Sequence, residues 1–394
     1  MIGDFVSISI KSAKSRKLRS WLTIIGIVIG IAAIIGLITV SKGLENAITE
    51  QFAKMGTNRL MVIPKQGNFL SLGQELTTED VRILDRMSEF KWVTPYLTEN
   101  ANIEFSKESH FRTVTANPIE GIEGRWADID FDVKEGRLWK PEEKFAVVIG
   151  NDIAKDLFKK KIKINNNILI NSQKFKVIGI FKEFGDPESD NMVHMSMDAA
   201  REIFKKEKEV SMIELVVKDG ISLEKTAAKV KKNLKNSRGN DNFDVKTSQQ
   251  LLEDLGVLLN ITQIIFISIA AISLVVGGIG IMNSMFTSVL ERRMEIGIMK
   301  SIGATNKQIM SMFLIEASLF GLVGGVLGVL LGSIGAYIVK LAASQLGFQL
   351  IKISVSFSLI IFSLAFAVLA GMISGFIPAY QAAKLKPVEA LRYE

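Results

Sequence analysis

The chain has 394 residues, 48% of them hydrophobic, and a mean hydropathy of +0.28, so much of it belongs in lipid rather than in two or three soluble domains. Its formal net charge of +7 does not point to nucleic acid, because residues 41–256 carry nearly equal numbers of basic and acidic side chains and the surplus lies beside apolar runs. There is no cysteine, which excludes disulfides and thiolate metal clusters, and a domain outside the cytoplasm must then rely on its own packed core.

Residues 1–20 place Ile2, Val6, Ile10 and Ala13 at helical spacing opposite Lys and Ser, the pattern of an interfacial amphipathic helix. A disordered basic leader is the alternative. Residues 21–55 form the first span and a stalk. Trp21 to Val40 is uncharged and about long enough to cross a ~30 Å hydrocarbon layer. It exceeds a signal-peptide core and no small-residue cleavage pattern follows it, so it reads as a retained helix. Leu44, Ile48 and Phe52 continue an apolar stripe to Gly56, a candidate C-cap.

Residues 56–247 have ordinary soluble composition. Arg59–Ile63, Lys144–Ile149, Lys174–Phe181 and Ser211–Val217 read as strands, while Asp152–Lys160, Met197–Lys206 and Ser222–Asn236 read as helices. Asn165–Asn167 and Asp186–Pro187 are turn signals. The expected fold class is therefore a polytopic α-helical membrane protein with four transmembrane helices and a large α+β extracytoplasmic domain between helices 1 and 2, a domain that divides into either one or two subdomains.

Thr247 and Gln250 make a capping box that opens a second stalk and span over 248–288. Gly43 and Gly256 are the places where either stalk helix could kink. The remaining elements are a cytoplasmic segment 289–311, a third span 312–340, a short external loop 341–356, a fourth span 357–378 and a cytoplasmic tail 379–394. Lys11, Lys14, Arg16, Lys17 and Arg19 precede the first span. Arg292, Arg293, Lys300 and Lys307 follow the second, and Lys384, Lys386 and Arg392 follow the fourth. With four spans these segments share one side, so both termini are expected in the cytoplasm of a cell-membrane protein. Lys340 and Lys352 on the other side weaken the bias without reversing it.

The chemistry of an enzyme is missing. The sequence has no phosphate-binding P-loop, no H-E-x-x-H and no G-x-S-x-G, and His110 and His194 read as ordinary surface or strand residues. Neither a catalytic, a cofactor-binding nor a metal-binding residue is expected. Glu316 is the one ionisable residue well inside a span, facing either the cytoplasmic boundary or a neighbouring helix. No chain of membrane carboxylates is present for an ion-driven pump. Gly321, Gly324, Gly325, Gly328, Gly332 and Gly335 stripe the third span, with a shorter set at Gly277, Gly278 and Gly280. Small residues at this spacing let helices approach, and the expected partner is the fourth span rather than a second copy.

The segment Val289 to Ile309, VLERRMEIGIMKSIGATNKQI, resembles the loop of the MacB/FtsX-like ABC permease family, with Glu291, Arg292, Glu295, Ile296, Gly297, Lys300, Ser301, Gly303 and Ala304 on that family's E-R-x-x-E-I-G-x-x-[KR]-[AS]-x-G-A pattern. Phe313, Leu314, Glu316 and Ala317 resemble its third-span opening, Lys17 to Gly30 its first span, and Pro378 to Arg392 its closing motif. In the outer domain only Gly136–Phe158 and Phe175–Ile180 are similar to its periplasmic core domain. The resemblance implies a mechanotransmission ABC exporter (type VII). Its expected partners are the lipid bilayer, a second permease copy in a homo- or heterodimer, and an ABC ATPase subunit that binds the ATP and Mg. An extracytoplasmic accessory protein is a partner the resemblance leaves open; nucleic acid is excluded.

Residues 289–305 would be the coupling helix, with Glu291, Arg292, Arg293, Glu295, Ile296, Gly297, Lys300, Gly303 and Ala304 meeting the ATPase. The residues themselves suit that role, since charges alternate with the adaptable apolar side chains Met294, Ile296, Ile298 and Met299. The implied work is export of a hydrophobic or amphipathic compound, a peptide or a lipid-linked substrate. Transmembrane signalling that controls an envelope enzyme or senses a peptide is the alternative.

Overall fold

In the computed structural model of the chain the described residues are 17–56, 58–65, 76–126, 131–349 and 351–391; the surface helix expected over residues 1–20 falls almost wholly outside them. The chain divides into two compact units. One holds Met1–Glu45, Leu258–Ala342 and Lys352–Glu394, and the other Asn46–Val257 and Ala343–Ile351.

Among the described residues four helices are long and apolar enough to cross a membrane. The first, α1, runs over Lys17–Met55, and Gly56, at φ +88°, ends it in the left-handed conformation that costs a glycine nothing. Between α1 and the next long helix the chain forms, in order, β1 (Arg59–Pro64), β2 (Leu76–Thr77), α2 (Thr78–Asp85), β3 (Phe90–Phe105), β4 (Glu108–Asn117), α3 (Ile122–Trp126), β5 (Val133–Gly136), β6 (Ala146–Ile149) and α4 (Asn151–Lys155). It continues through β7 (Asn167–Ile170), β8 (Gln173–Phe181), α5 (Pro187–Asp190), β9 (Val193–Ser196), α6 (Met197–Phe204), β10 (Glu209–Val210), β11 (Met212–Val217), α7 (Leu223–Arg238) and β12 (Phe243–Thr247). The remaining helices are α8 (Ser248–Glu291), α9 (Arg293–Ser301), α10 (Asn306–Gln345), α11 (Phe357–Lys384) and α12 (Pro387–Leu391).

Helix α8 opens on the expected capping box: Thr247 N–H donates to Gln250 Oε1 at 3.0 Å and Gln250 N–H to Thr247 Oγ1 at 3.0 Å. Its 44 residues amount to roughly 66 Å of continuous helix, about twice what a bilayer needs. Gly43 and Gly256 lie inside unbroken helix.

In the membrane unit, Ile27, Ile31 and Ile35 of α1, Ile281 and Met285 of α8, Phe313 and Ala317 of α10 and Ala367 and Ala379 of α11 form one buried cluster. The glycine stripe explains how the helices come so close, and the expected fourth-span partner is the right one for only part of it. A Cβ at Gly321 would lie 2.3 Å from the Ala367 carbonyl and one at Gly325 2.8 Å from Ala367 Cβ, both on α11. Gly324, Gly328 and Gly332 instead face α1, where an added Cβ would meet Ile27 at 2.9 Å, Ile31 at 2.7 Å and the Ala32 carbonyl at 2.7 Å. The stripe therefore serves two neighbours, because Gly321 and Gly325 form one row of four-residue spacing and Gly324, Gly328 and Gly332 another, and adjacent residues such as Gly324 and Gly325 point about 100° apart around a helix. Gly277 packs against Gly26 and Ile27 in the same way, while Gly335 meets nothing within 4 Å.

The other unit is built on a ten-stranded mixed sheet of order β12-β1-β11-β3-β4-β9-β6-β8-β5, with β7 pairing both β3 and β8. That double pairing closes β3, β4, β9, β6, β8 and β7 into a ring around Leu97, Ile103, Val114, Val147, Phe175 and Met195. On the other side, β12, β1, β11 and the first half of β3 form an open sheet over a second core that includes Leu60, Ile213, Leu215, Val230 and Leu234. The unit thus has two cores on one sheet, and β3 belongs to both. A third cluster holds Trp126, Trp139, Ile178 and Phe181.

Three local expectations change. The helix expected over Asp152–Lys160 stops at Lys155, because Phe158 and Ile162 turn into the ring core. The strand expected from Lys144 begins at Ala146. Asp186–Pro187 is a helix start rather than a simple turn: Asp186 caps α5 by accepting from Ser189 N–H at 2.9 Å, with Pro187 in the first turn.

Candidate functional site: the segment joining the second and third spans

Helix α8 ends at Glu291 and α9 begins at Arg293, so a single residue separates them. Arg292, at φ −101° and ψ 15°, is the N-cap, and its carbonyl accepts from Ile296 N–H at 3.0 Å. After Ser301 the chain turns through Gly303 at φ +104°, a conformation that favours glycine. Gly303 N–H donates to Lys300 O at 3.1 Å and Ala304 N–H to Met299 O at 2.9 Å, which satisfies the last carbonyls of α9. A second capping box starts α10: Thr305 N–H donates to Gln308 Oε1 at 2.8 Å and Gln308 N–H to Thr305 Oγ1 at 3.3 Å.

The side chains of this segment sort into an inner and an outer set. Ile296 is fully buried in the cluster shared with α1, α8, α10 and α11, Gly297 is buried, and Met299 and Ala304 pack against that cluster. Arg292, only 12% exposed, is turned inward. Its Nη1 donates to Glu316 Oε2 at 3.2 Å, its Nε donates to Glu295 Oε2 at 3.0 Å, and its guanidinium lies 5.7 Å from the Phe313 ring centre. Ser288 Oγ donates to the other Glu316 oxygen at 3.4 Å. Glu316 therefore faces neighbouring helices, which settles the alternative left open by the sequence. Lys300 is also turned in: its Nζ donates to Ala383 O at 2.6 Å and Leu385 O at 2.7 Å, at the end of α11.

Outward, Leu290, Met294, Ile298 and Ile302 are exposed, the last at 81%, in a row of four-residue spacing. Glu295 and Glu291 flank this row and are exposed too, and Arg293 is half-buried. The arrangement corrects the sequence reading at two kinds of position. Of the four apolar residues expected to meet a partner, Met294 and Ile298 face out while Ile296 and Met299 face in. Leu290, on the last turn of α8, and Ile302, the C-cap of α9, are exposed beside this pair but were not singled out; their apolar character in a charged segment was the available signal. Among the charged residues, Arg292 and Lys300 bond within the unit. Among the described residues no group of three or more potential metal ligands occurs.

Residues 20–233 match the family described as the MacB-like periplasmic core domain, and residues 267–387 match the FtsX-like permease C-terminal family. An uncharacterized ABC transporter permease of Methanocaldococcus jannaschii is 34% identical over 393 residues, covering 100% of this chain and 98% of that one. A macrolide export ATP-binding/permease protein, MacB, of Bdellovibrio bacteriovorus is 32% identical over 405 residues, covering 96% of this chain; this chain spans 60% of that protein. Among solved structures, the periplasmic region of MacB from Actinobacillus actinomycetemcomitans is 17% identical with a TM-score of 0.45, covering 53% of this chain and 97% of its own.

Proposed function

The chain belongs to the family of MacB-like and FtsX-like ABC transporter permeases, and from that premise we propose that it is the membrane subunit of an exporter whose α9 docks on an ABC ATPase. The observation that carries this reading is the outer set of exposed apolar side chains, Met294 and Ile298 on α9 with Leu290 at the end of α8 and Ile302 just after α9, while the opposite face of α9 is anchored in the membrane unit. Isolated apolar side chains need no explanation, but a four-residue row flanked by carboxylates is the form of an apolar interface core with a charged rim. ATP and Mg would bind the ATPase, and the chain itself would do mechanical work. With α9 on the cytoplasmic side, both termini lie in the cytoplasm and the α/β unit lies outside.

The relatives favour export over signalling, since they include proteins named for macrolide export and for pyoverdine export. The class of cargo proposed here is correspondingly a hydrophobic or amphipathic compound, a peptide or a lipid-linked molecule. A second permease copy completes the assembly.

The test is co-purification. Met294→Asp with Ile298→Asp should abolish association with the ABC ATPase and its hydrolysis in the complex, while Glu295→Ala should weaken both by about threefold, as a rim charge does. Undiminished association of the double Asp variant would sink the docking assignment.

A further inference from the structure

We infer that Arg292 and Lys300 are positioning residues that clamp the two ends of α9 to the third and fourth spans, so that a push on α9 is delivered to both spans at once. The inference rests on the docking role of α9 proposed above, and assigns these two cations a task different from docking.

The geometry separates the two ends. At the N-terminal end, the Arg292 guanidinium reaches Glu316 on α10 while also holding Glu295 of its own helix. The ring of Phe313 on α10 lies beneath it. A planar fork with several donors is the group that can bridge two carboxylates in this way. At the C-terminal end, the Lys300 ammonium sits on the Ala383 and Leu385 carbonyls. Ala383 is in the last turn of α11 and Leu385 is its C-cap, where carbonyls lack helical partners and the helix dipole is negative. A compact cation with three rotatable donors suits that place.

Residues 292 and 300 are eight positions apart, roughly 12 Å along a helix, so the clamps are separate. Between them the buried Ile296 fixes the roll of α9. Along the chain itself, the connections of α9 are weak levers: one non-helical residue before it and the Gly303 turn after it. A displacement of the outer row would be lost in those joints if the clamps were absent. With them, displacement at the N-terminal end moves α10 and displacement at the C-terminal end moves α11.

The experiment uses the full chain in lipid nanodiscs with its co-purified ABC ATPase. Because the sequence has no cysteine, a single Phe362→Cys carries a fluorescent label on the exposed side of α11 as a reporter. Two quantities are read: affinity for the ATPase, and the ATP-driven change in label signal per complex. Arg292→Ala and Lys300→Ala should keep the affinity within about threefold of the parent while the signal falls about tenfold. Lys300→Arg, which retains donors for the carbonyls, and the exchanged pair Arg292→Glu with Glu316→Arg should regain most of it.

Loss of signal in proportion to loss of affinity would overturn the inference, since the two cations would then be docking residues. Full signal in the Ala variants would overturn it as well. Should an Ala variant fail to fold, the exchanged pair decides: a folded exchanged pair that stays silent refutes the clamp. Failure of the docking reading shows elsewhere, as unchanged affinity in the Met294→Asp/Ile298→Asp control.

Discussion

His194 shows how one side chain can give a domain an acid-sensitive element. It lies in β9, 4% exposed, with the rings of Trp126, Phe131 and Phe181 centred 5.5, 5.7 and 5.1 Å away, and its Nδ1 has no hydrogen-bond partner among the described residues. Burial among apolar rings disfavours the charged imidazolium and pulls its pKa down to about 3. The unfolded chain takes up a proton near pH 6.5 that the folded one refuses. Stability from this group is therefore complete above pH 6.5 and is lost as pH falls, by about 2 kcal/mol at pH 5.

Asp190 has the opposite sign. Burial, with Asp152 and Asp186 nearby, raises its pKa to about 6 even though Phe184 and Gly185 N–H groups donate to it. Its contribution is complete below the ordinary carboxylate range and is lost as pH rises through 6. Hydrogen exchange isolates the His194 effect. Protection of the β9 amides should fall between pH 7 and pH 5 in the parent, and His194→Phe should remove most of that fall. An equal fall in both would show that other groups set it.

At the scale of elements, the two-sided glycine stripe of α10 makes a prediction with its own control. Gly328→Leu pushes a side chain into Ile31 of α1, whereas Gly335→Leu enters open space. The first should cost about 1–3 kcal/mol and lower the melting temperature of the detergent-solubilised chain, the second should cost almost nothing, and equal melting temperatures would refute the packing. The four spans were legible because twenty uncharged residues have few other fates. The capping residues Thr247, Gln250 and Gly56 were legible because their chemistry is local. The partners of the glycines were not, since a spacing of four identifies a face but not which helix will meet it.

Strands β3 and β4 were also hidden. In β3, Leu97, Ala101, Ile103 and Phe105 do alternate, but Glu99 interrupts the inward set and is accommodated by Lys206 at 2.8 Å. Only the tertiary partner makes that position tolerable. At the candidate site the alternation of charges and apolar residues singled out the segment in the sequence. It could not say which cations turn inward, since the carbonyls that hold Lys300 and the carboxylate that holds Arg292 come from distant positions in the chain.

For the whole molecule, orientation is the first property to measure, and the lack of native cysteines makes it simple. A cysteine at Lys107, in the turn between β3 and β4, should react with a membrane-impermeant maleimide on intact cells. One at Val388, on the exposed side of α12, should react only after permeabilisation. The reverse pattern would invert the proposed topology and remove α9 from the reach of any cytoplasmic ATPase.

The strand shared by both cores also sets a schedule for synthesis. The second half of β3 finds β4 almost at once, since Phe105 pairs with Glu108 across a short turn. The first half must wait for β11, because Tyr96 pairs with Met212. At 5–20 residues per second that wait lasts roughly 6–23 s, during which one half of a strand is paired and the other offers bare backbone. The hairpin is thus available as an early template on which the ring can grow, while the open sheet is assembled last. Crowded nascent chains would be most vulnerable to sticking to one another along the stretch from Phe90 to Tyr96.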